Sequence, residues 1–230
     1  MIHTPDPTWK PGDPLLPSPL GKELKTFDLA QLDVRGIYSL MIGAIVPRPI
    51  ALIATTNPEG EGNLAPFSYF MAVSSQPPCI AVSITPKSAT EEKDTLRNIR
   101  ATGEFTINLV AEWMVEAVNY TSATFPYGVD EMTKVGLTPL PSESVRPPRV
   151  LESPVQLECR LEQLIPVGQG HGSSNLVIGR ILKAHVANDA LKNGQIDASK
   201  VRPISRLGGN FYGCTDRIFE LPRPKLPSSP

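Results

Sequence analysis

Hydroxyls and lysines gather between positions 83 and 98: Ser83, Lys87, Ser88, Thr90, Lys93, Asp94 and Thr95. They fall where an alternating strand pattern ends and a helical one begins. A helix start presents unpaired N–H groups and a positive partial charge, and each lysine adds a point charge. That combination suits one phosphate group rather than a polyanion. It equally suits an ordinary capped helix with lysines on its surface, and the local sequence leaves both readings open.

Other candidates for chemistry carry less. The run Gly168-Gln-Gly-His-Gly-Ser-Ser174 resembles a phosphate cradle, but no Gly-Lys-Ser or Gly-Lys-Thr follows, and the glycine spacing of a dinucleotide fold is missing. A flexible hairpin loop fits better, with His171 left as a candidate pocket residue. No Gly-x-Ser-x-Gly elbow marks a nucleophile. Cys79, Cys159 and Cys214 are isolated, and His3, His171 and His185 form no cluster with metal-ligand spacing. No metal site is expected. Glu91 and Glu92 suit a solvated helix start, where acids complement the dipole.

Composition narrows the class. The chain has 230 residues, 40% of them hydrophobic, with 22 Lys and Arg against 23 Asp and Glu. A protein that lives on phosphate backbones shows a basic excess or stripe, so nucleic acid is not an expected partner. No apolar run reaches the ~18 residues of a membrane span, and the N-terminal stretch lacks a signal pattern. A cytoplasmic protein is the expectation. The 25 prolines argue against long helices, because an interior proline costs a helix about 3 kcal/mol.

The prolines also divide the chain. Residues 1–26 and 221–230 are Pro-rich and read as extended arms around a domain at 27–220. Within it, residues 32–42 read as a helix, with Val34, Ile37, Tyr38 and Met41 on one face. Residues 46–56 become a continuous apolar run, as in a strand buried on both faces, and 57–62 have the chemistry of a hairpin turn. Strand 79–85 puts Ile80, Val82 and Ile84 on one side and Ala81, Ser83 and Thr85 on the other, the small face leaving room for a flat ligand. Residues 91–101 read as a helix capped by Ser88 or Thr90 and stopped at Gly103. Strands follow at 104–110, 155–164 and 175–187, a short helix at 111–119, and a weaker late element at 204–219. The long irregular stretch 120–154 is the kind that is functional or serves as a lid. Six or seven short strands with few helices predict a mainly β (α+β) closed or half-closed barrel with peripheral helices.

Several stretches together resemble the flavin reductase-like family, in its flavoredoxin-like branch. They are Pro47-Arg-Pro-Ile-Ala-Leu-Ile-Ala-Thr-Thr56, Asn63-Leu-Ala-Pro-Phe-Ser68 through Pro78, Lys93-Asp-Thr-Leu-Arg-Asn-Ile99 and Gly103-Glu-Phe-Thr-Ile-Asn-Leu109. Arg206-Leu-Gly-Gly-Asn-Phe-Tyr212 resembles that branch's late Arg-x-Gly-Gly…Tyr element. The resemblance implies an FMN-binding split β-barrel, a homodimer, and a flavin cleft at the dimer interface. It implies that Asn63, Ala65, Pro66, Phe67 and Ser68 border the flavin ring and ribityl chain, and that Ser83, Lys87, Lys93, Asp94 and Thr95 surround its phosphate. Arg48, in the Pro-Arg-Pro motif, would face the flavin, and Arg206 and Tyr212 would contribute from the late element. The implied activity is that of an FMN-dependent oxidoreductase, with NADH or NADPH as donor, acting as flavin reductase or electron carrier. The alternatives are an FMN-binding protein without reductase activity and a flavin-dependent oxygenase of the same fold. A bound flavin would explain why no catalytic acid, base or nucleophile stands out, since the cofactor carries the chemistry.

Overall fold

A computed structural model describes residues 4–88 and 90–224. Part of the expected C-terminal arm, with Pro227 and Pro230, lies outside the described residues. Residues 4–28 and 215–224 hold no helix or strand.

The strands, in chain order, are β1 (Arg48–Pro49), β2 (Ala51–Thr56), β3 (Gly62–Phe67), β4 (Phe70–Ser75), β5 (Pro78–Ile84), β6 (Glu104–Leu109), β7 (Pro139–Leu140), β8 (Arg149–Val150), β9 (Val155–Val167), β10 (Ser174–Val186), β11 (Leu191–Lys192), β12 (Gln195–Ile196), β13 (Ile204–Arg206) and β14 (Tyr212–Cys214). The α-helices are α1 (Val34–Ala44), α2 (Asp94–Thr102), α3 (Val115–Tyr120), α4 (Glu131–Lys134) and α5 (Ala198–Val201).

Seven strands make one sheet in the order β3-β2-β6-β9-β10-β5-β4, every pairing antiparallel. Its two outermost strands are consecutive in sequence: β3 ends at Phe67 and β4 begins at Phe70. Three Cα steps span at most about 11 Å, so the sheet must curl until its edges meet. The result is a barrel split between β3 and β4. The Ser83 amide bonds the Tyr69 carbonyl at 2.9 Å across that corner.

Side chains from all seven strands fill the interior, among them Ala51, Ile53, Phe67, Phe70, Val82, Phe105, Cys159 and Val177. Leu96 and Ile99 of α2 join them as a plug. Gly179 leaves the space that Phe105 fills, for a Cβ there would overlap the Phe105 ring tip. The other face of β2, with Leu52 and Ala54, packs on Met114, Val118, Met132 and Val150. This is why β2 is buried on both faces within an antiparallel sheet: residues 110–150 cover it.

That excursion is pinned along its length. Glu158, fully buried on β9, accepts from the amides of Glu143 (2.9 Å) and Ser144 (2.6 Å) and contacts His185 Nε2 at 2.8 Å. Burial pushes the Glu158 carboxyl up, but these partners outweigh it and hold it below the usual carboxylate range. Asn108 Oδ1 accepts from the Val150 amide at 2.9 Å. The stretch expected to be irregular thus carries α4 and the β7–β8 ladder, and it is fastened to the barrel wall.

Two expectations changed in detail. The first helix begins at Val34 behind Asp33, whose carboxylate accepts from the Gly36 amide at 2.7 Å. Its stripe of Val34, Tyr38 and Met41 is exposed, and only Ile42 is buried. The second helix begins at Asp94, and neither Ser88 nor Thr90 caps it.

Candidate functional site

The start of α2 lies against the β2–β3 hairpin. Its N-cap is Lys93, extended at φ −70° and ψ 145°, and no side chain caps the helix. The first intrahelical bonds run from the Leu96 and Arg97 amides to the Lys93 carbonyl, which leaves the Asp94 and Thr95 amides outside the ladder. Thr95 is buried, and its hydroxyl accepts from Asn63 Nδ2 at 3.0 Å. Asn63 Nδ2 also reaches Thr55 Oγ1 at 3.1 Å, and Asn98 Nδ2 bonds the same oxygen at 3.1 Å. The chain Asn63–Thr55–Asn98 therefore ties β2, β3 and α2 together and fixes the Thr95 hydroxyl with its proton still to give.

Two lysines face this start in different states. Lys87 Nζ pairs with Asp94 Oδ2 at 3.1 Å and Glu91 Oε1 at 3.2 Å. Burial works to lower its pKa, but those two carboxylates prevail and raise it. Lys93 is half-buried and has no hydrogen-bond or ion-pair partner among the described residues, and its Nζ stands 6.0 Å from the centre of the Phe67 ring. Burial, then the charge of Lys87, pulls the Lys93 pKa down, with Asp94 opposing. A desolvated cation beside another cation is stabilised by an arriving anion.

Together these groups line a cavity of about 100 Å³. Asn63, Ala65, Pro66 and Phe67 of β3 form one wall, Lys87, Lys93, Asp94 and Thr95 another, and residues 121–125 with Glu131 close it. The edge position of β3 accounts for Pro66. The Leu64 amide points away from β2 to Glu131 Oε2 at 2.8 Å, and Pro66 shares that open side, where no ladder bond is lost. Burial raises the Glu131 carboxyl, the Leu64 amide opposes, and the charges of Asp94 and Asp130 push it further up. Asp94 Oδ1 is buried without a hydrogen-bond partner.

Lys87 and Lys93 also line a second, larger cleft of about 790 Å³. Ser83 and Tyr69 lie on its floor, and the Ser83 and Ser174 hydroxyls meet at 2.5 Å. Its sides are the exposed stripe of α1 and the β9–β10 turn with His171. The apolar periodicity that predicted a core-facing helix marks a cleft wall instead. Burial and the neighbouring Tyr38 raise the Tyr69 pKa against the pull of Arg48.

Four expected residues line neither cavity. Arg48 is buried, with Nη1 bonding the Ile42 (2.6 Å) and Ile45 (2.8 Å) carbonyls, Nη2 the Leu207 carbonyl (3.0 Å), and Nε the Ser68 hydroxyl (3.4 Å). It clamps the end of α1 to the β3–β4 corner, and Ser68 is its partner there. Arg206 stacks on Tyr212 at 4.5 Å, and the Tyr212 hydroxyl donates to Asn119 Oδ1 at 2.8 Å. The structure thus gathers Asn63, Ala65, Pro66, Phe67, Lys87, Lys93, Asp94 and Thr95 in one place, with Ser83 in the adjoining cleft. Sequence reasoning marked 120–154 as a functional loop or lid but singled out neither Glu131 nor residues 121–125 within it, and it missed Tyr69. An acid in an excursion and a small-polar loop carry no spacing signal. Only closure of the barrel brings them to α2.

The model of the flavin reductase-like domain matches residues 42–204. The chain belongs to the flavin reductase-like family. Among solved structures, it is similar to nitrilotriacetate monooxygenase component B from Bacillus cereus, at 37% identity and a TM-score of 0.84, covering 87% of this chain and 100% of that one. It is similar to the 2-nitrobenzoate 2-nitroreductase NbaA of Pseudomonas fluorescens, at 28% identity and a TM-score of 0.79, covering 89% and 99%. Flavoredoxin of Desulfovibrio vulgaris (Miyazaki F) matches at 27% identity and a TM-score of 0.66, covering 77% and 91%. This flavin reductase-like chain therefore has the split-barrel fold that its strand closure dictates.

Proposed function

We propose that this chain binds FMN and acts as an NAD(P)H-dependent flavin reductase or electron carrier. The observation that carries the proposal is the uncapped start of α2. It offers two amides outside the helix ladder, a half-buried lysine with no hydrogen-bond or ion-pair partner among the described residues and a fixed hydroxyl, on residues that all line one cavity. A single phosphate satisfies that donor set. The cavity's small size suits a single phosphate group, which supports FMN rather than FAD.

When bound, FMN supplies the two-electron redox chemistry that no side chain here can. The protein's part is to hold and orient. Lys93, Thr95 and the α2 amides take the phosphate. Lys87, paired with Asp94, offsets that carboxylate's charge beside the anion. β3 from Asn63 to Phe67 lies along the ribityl chain and ring, and Ser83 faces the adjoining cleft. Arg48 fixes the end of α1 to the Ser68 corner, so the α1 wall of the cleft keeps its place. Residues 121–125 cover the phosphate end from water.

A second copy of the chain completes the reading. Strand β4 is an outer strand, with Met71 and Val73 exposed at 61% and 49%. Tyr38, Met41, Ile45 and Val46 are exposed on α1 and just after it. An open edge carrying apolar residues is a liability unless covered, and a homodimer covers it beside the cleft. The testing experiment is fluorescence titration of FMN and FAD into flavin-free protein. One FMN bound per chain, and more tightly than FAD, is expected; no saturable FMN binding would end the proposal.

A further inference from the structure

The loop at residues 122–128, part of which closes the smaller cavity, is held by little. Thr121 before it is buried, and its hydroxyl donates to the Val118 carbonyl at 2.8 Å. Glu131 after it is buried and accepts from the Leu64 amide at 2.8 Å. Between these fixed ends the backbone bonds are local. The Ser122 amide donates to Asn119, Ala123 to Tyr120, Phe125 to Ala123 and Val129 to Pro126. Among the described residues no backbone bond joins 122–128 to a strand or to α2. A segment with an exposed backbone and few buried contacts opens at low free-energy cost.

One side chain of the loop reaches across to α2. The ring of Tyr127 lies against the Arg97 guanidinium, whose Cζ is 4.4 Å from the ring centre. The Tyr127 hydroxyl donates to Asn98 Oδ1 at 3.3 Å. Arg97 is itself held beside Asp94, with Nη1 3.8 Å from Oδ1. Asn98 is buried, with its Nδ2 on Thr55 Oγ1. Both anchors are therefore consecutive residues of the helix that starts at the cavity. None of Arg97, Asn98 and Tyr127 lines that cavity, so they fasten the loop from outside.

We infer that Tyr127, seated on Arg97 and Asn98, is the clasp of a gate: FMN enters and leaves when residues 122–128 swing off α2, and the clasp sets the rate of exchange rather than the affinity. That FMN is what passes rests on the flavin reading; how the loop is held does not. A cation stacked on an exposed ring and one neutral hydrogen bond are each weak. Such a gate opens often enough to pass a ligand and still shuts over it. Because the clasp touches no cavity wall, loosening it raises the open fraction of the empty and the filled protein alike. Association and dissociation then quicken by the same factor, and their ratio stays. A residue that only supported the bound state would speed dissociation alone.

Stopped-flow fluorescence follows FMN binding and release in wild type, Tyr127→Phe and Tyr127→Ala, all of which keep Arg97 and its charge. Tyr127→Phe, which retains the stack, should quicken both rates by about threefold, and Tyr127→Ala by about tenfold or more. The dissociation constant should stay within about twofold of wild type, which also shows that the variants fold. Rates equal to wild type in both variants overturn the gate, and so does faster dissociation at an unchanged association rate. Amide hydrogen exchange of the flavin-free proteins reads the clasp without FMN. Residues 122–128 should exchange faster in Tyr127→Ala than in wild type, while β6 does not; equal exchange in 122–128 overturns the clasp. Failure of the flavin reading is seen separately, as absent FMN binding to wild type, and the exchange measurement still decides whether the clasp holds.

Discussion

Lys93 is the residue on which the site turns. It is a half-buried cation without a partner among the described residues, pulled down in pKa by burial and by Lys87, at a helix start that no side chain caps. Lys93→Ala and Thr95→Ala should each weaken FMN by about 1–3 kcal/mol through loss of charge-assisted bonds, measured by fluorescence titration. Unchanged affinity in both variants would remove the phosphate from this place. Glu131 acts in the opposite sense. Its ionised carboxylate lines the same cavity and repels a phosphate, and its pKa is raised. A raised acid is neutral below its shifted pKa and charged above it. Glu131→Gln keeps an acceptor for the Leu64 amide and removes the charge, so it should bind FMN several-fold more tightly at neutral pH. The advantage should shrink as pH falls through the raised Glu131 pKa. The phosphate's own titration is common to both proteins and cancels in the ratio. A ratio that does not change with pH would show that Glu131 does not face the anion.

Elements place these residues, and they were legible to different degrees. Strands β5, β6, β9 and β10 follow from alternation and turn chemistry, and β2 follows from its continuous apolar run, because one face of it fills the interior and the other meets residues 110–150. The cluster at the start of α2, where the phosphate is proposed to sit, was visible as well, since lysines, hydroxyls and a helix start are contiguous in sequence. The cap was not: Ser88 and Thr90 have the right chemistry, but the helix begins later, at Asp94, and its start is left without a side-chain cap. Helix α1 shows the limit of periodicity, which reports an apolar stripe but not what the stripe faces. Arg48 shows the limit of motif transfer, since its guanidinium is fully engaged by backbone carbonyls and Ser68. Gly179 tests the packing of the barrel itself. Gly179→Ala should destabilise the protein by about 1–3 kcal/mol through overpacking, and adding Phe105→Leu should restore part of the loss. Denaturant unfolding of the wild type, the single variant and the double variant checks this. A Gly179→Ala variant as stable as wild type would mean the interior yields there.

At the scale of the molecule, closure of the sheet is what joins distant segments into one cleft. The two edge strands are consecutive in sequence, so β3, α2, the 110–150 excursion and the β9–β10 turn converge around a single corner. The terminal arm through residue 26 lies outside this closure, largely exposed and without helix or strand where described. Its exposed Trp9, Leu15, Leu16 and Leu20 fit a strap laid on a second copy. Removal of residues 1–20 should then raise the concentration at which the dimer dissociates, read by sedimentation on dilution; an equally stable truncated dimer would leave the arm without that role. The central claim is that the cleft holds an FMN that accepts electrons from a nicotinamide donor. Its most direct test is the absorption spectrum of the FMN-loaded protein, recorded without oxygen before and after NADH or NADPH. The flavin band should be present at one equivalent per chain and bleach with at least one donor; a protein that holds no flavin, or whose flavin stays oxidised with both, would contradict it.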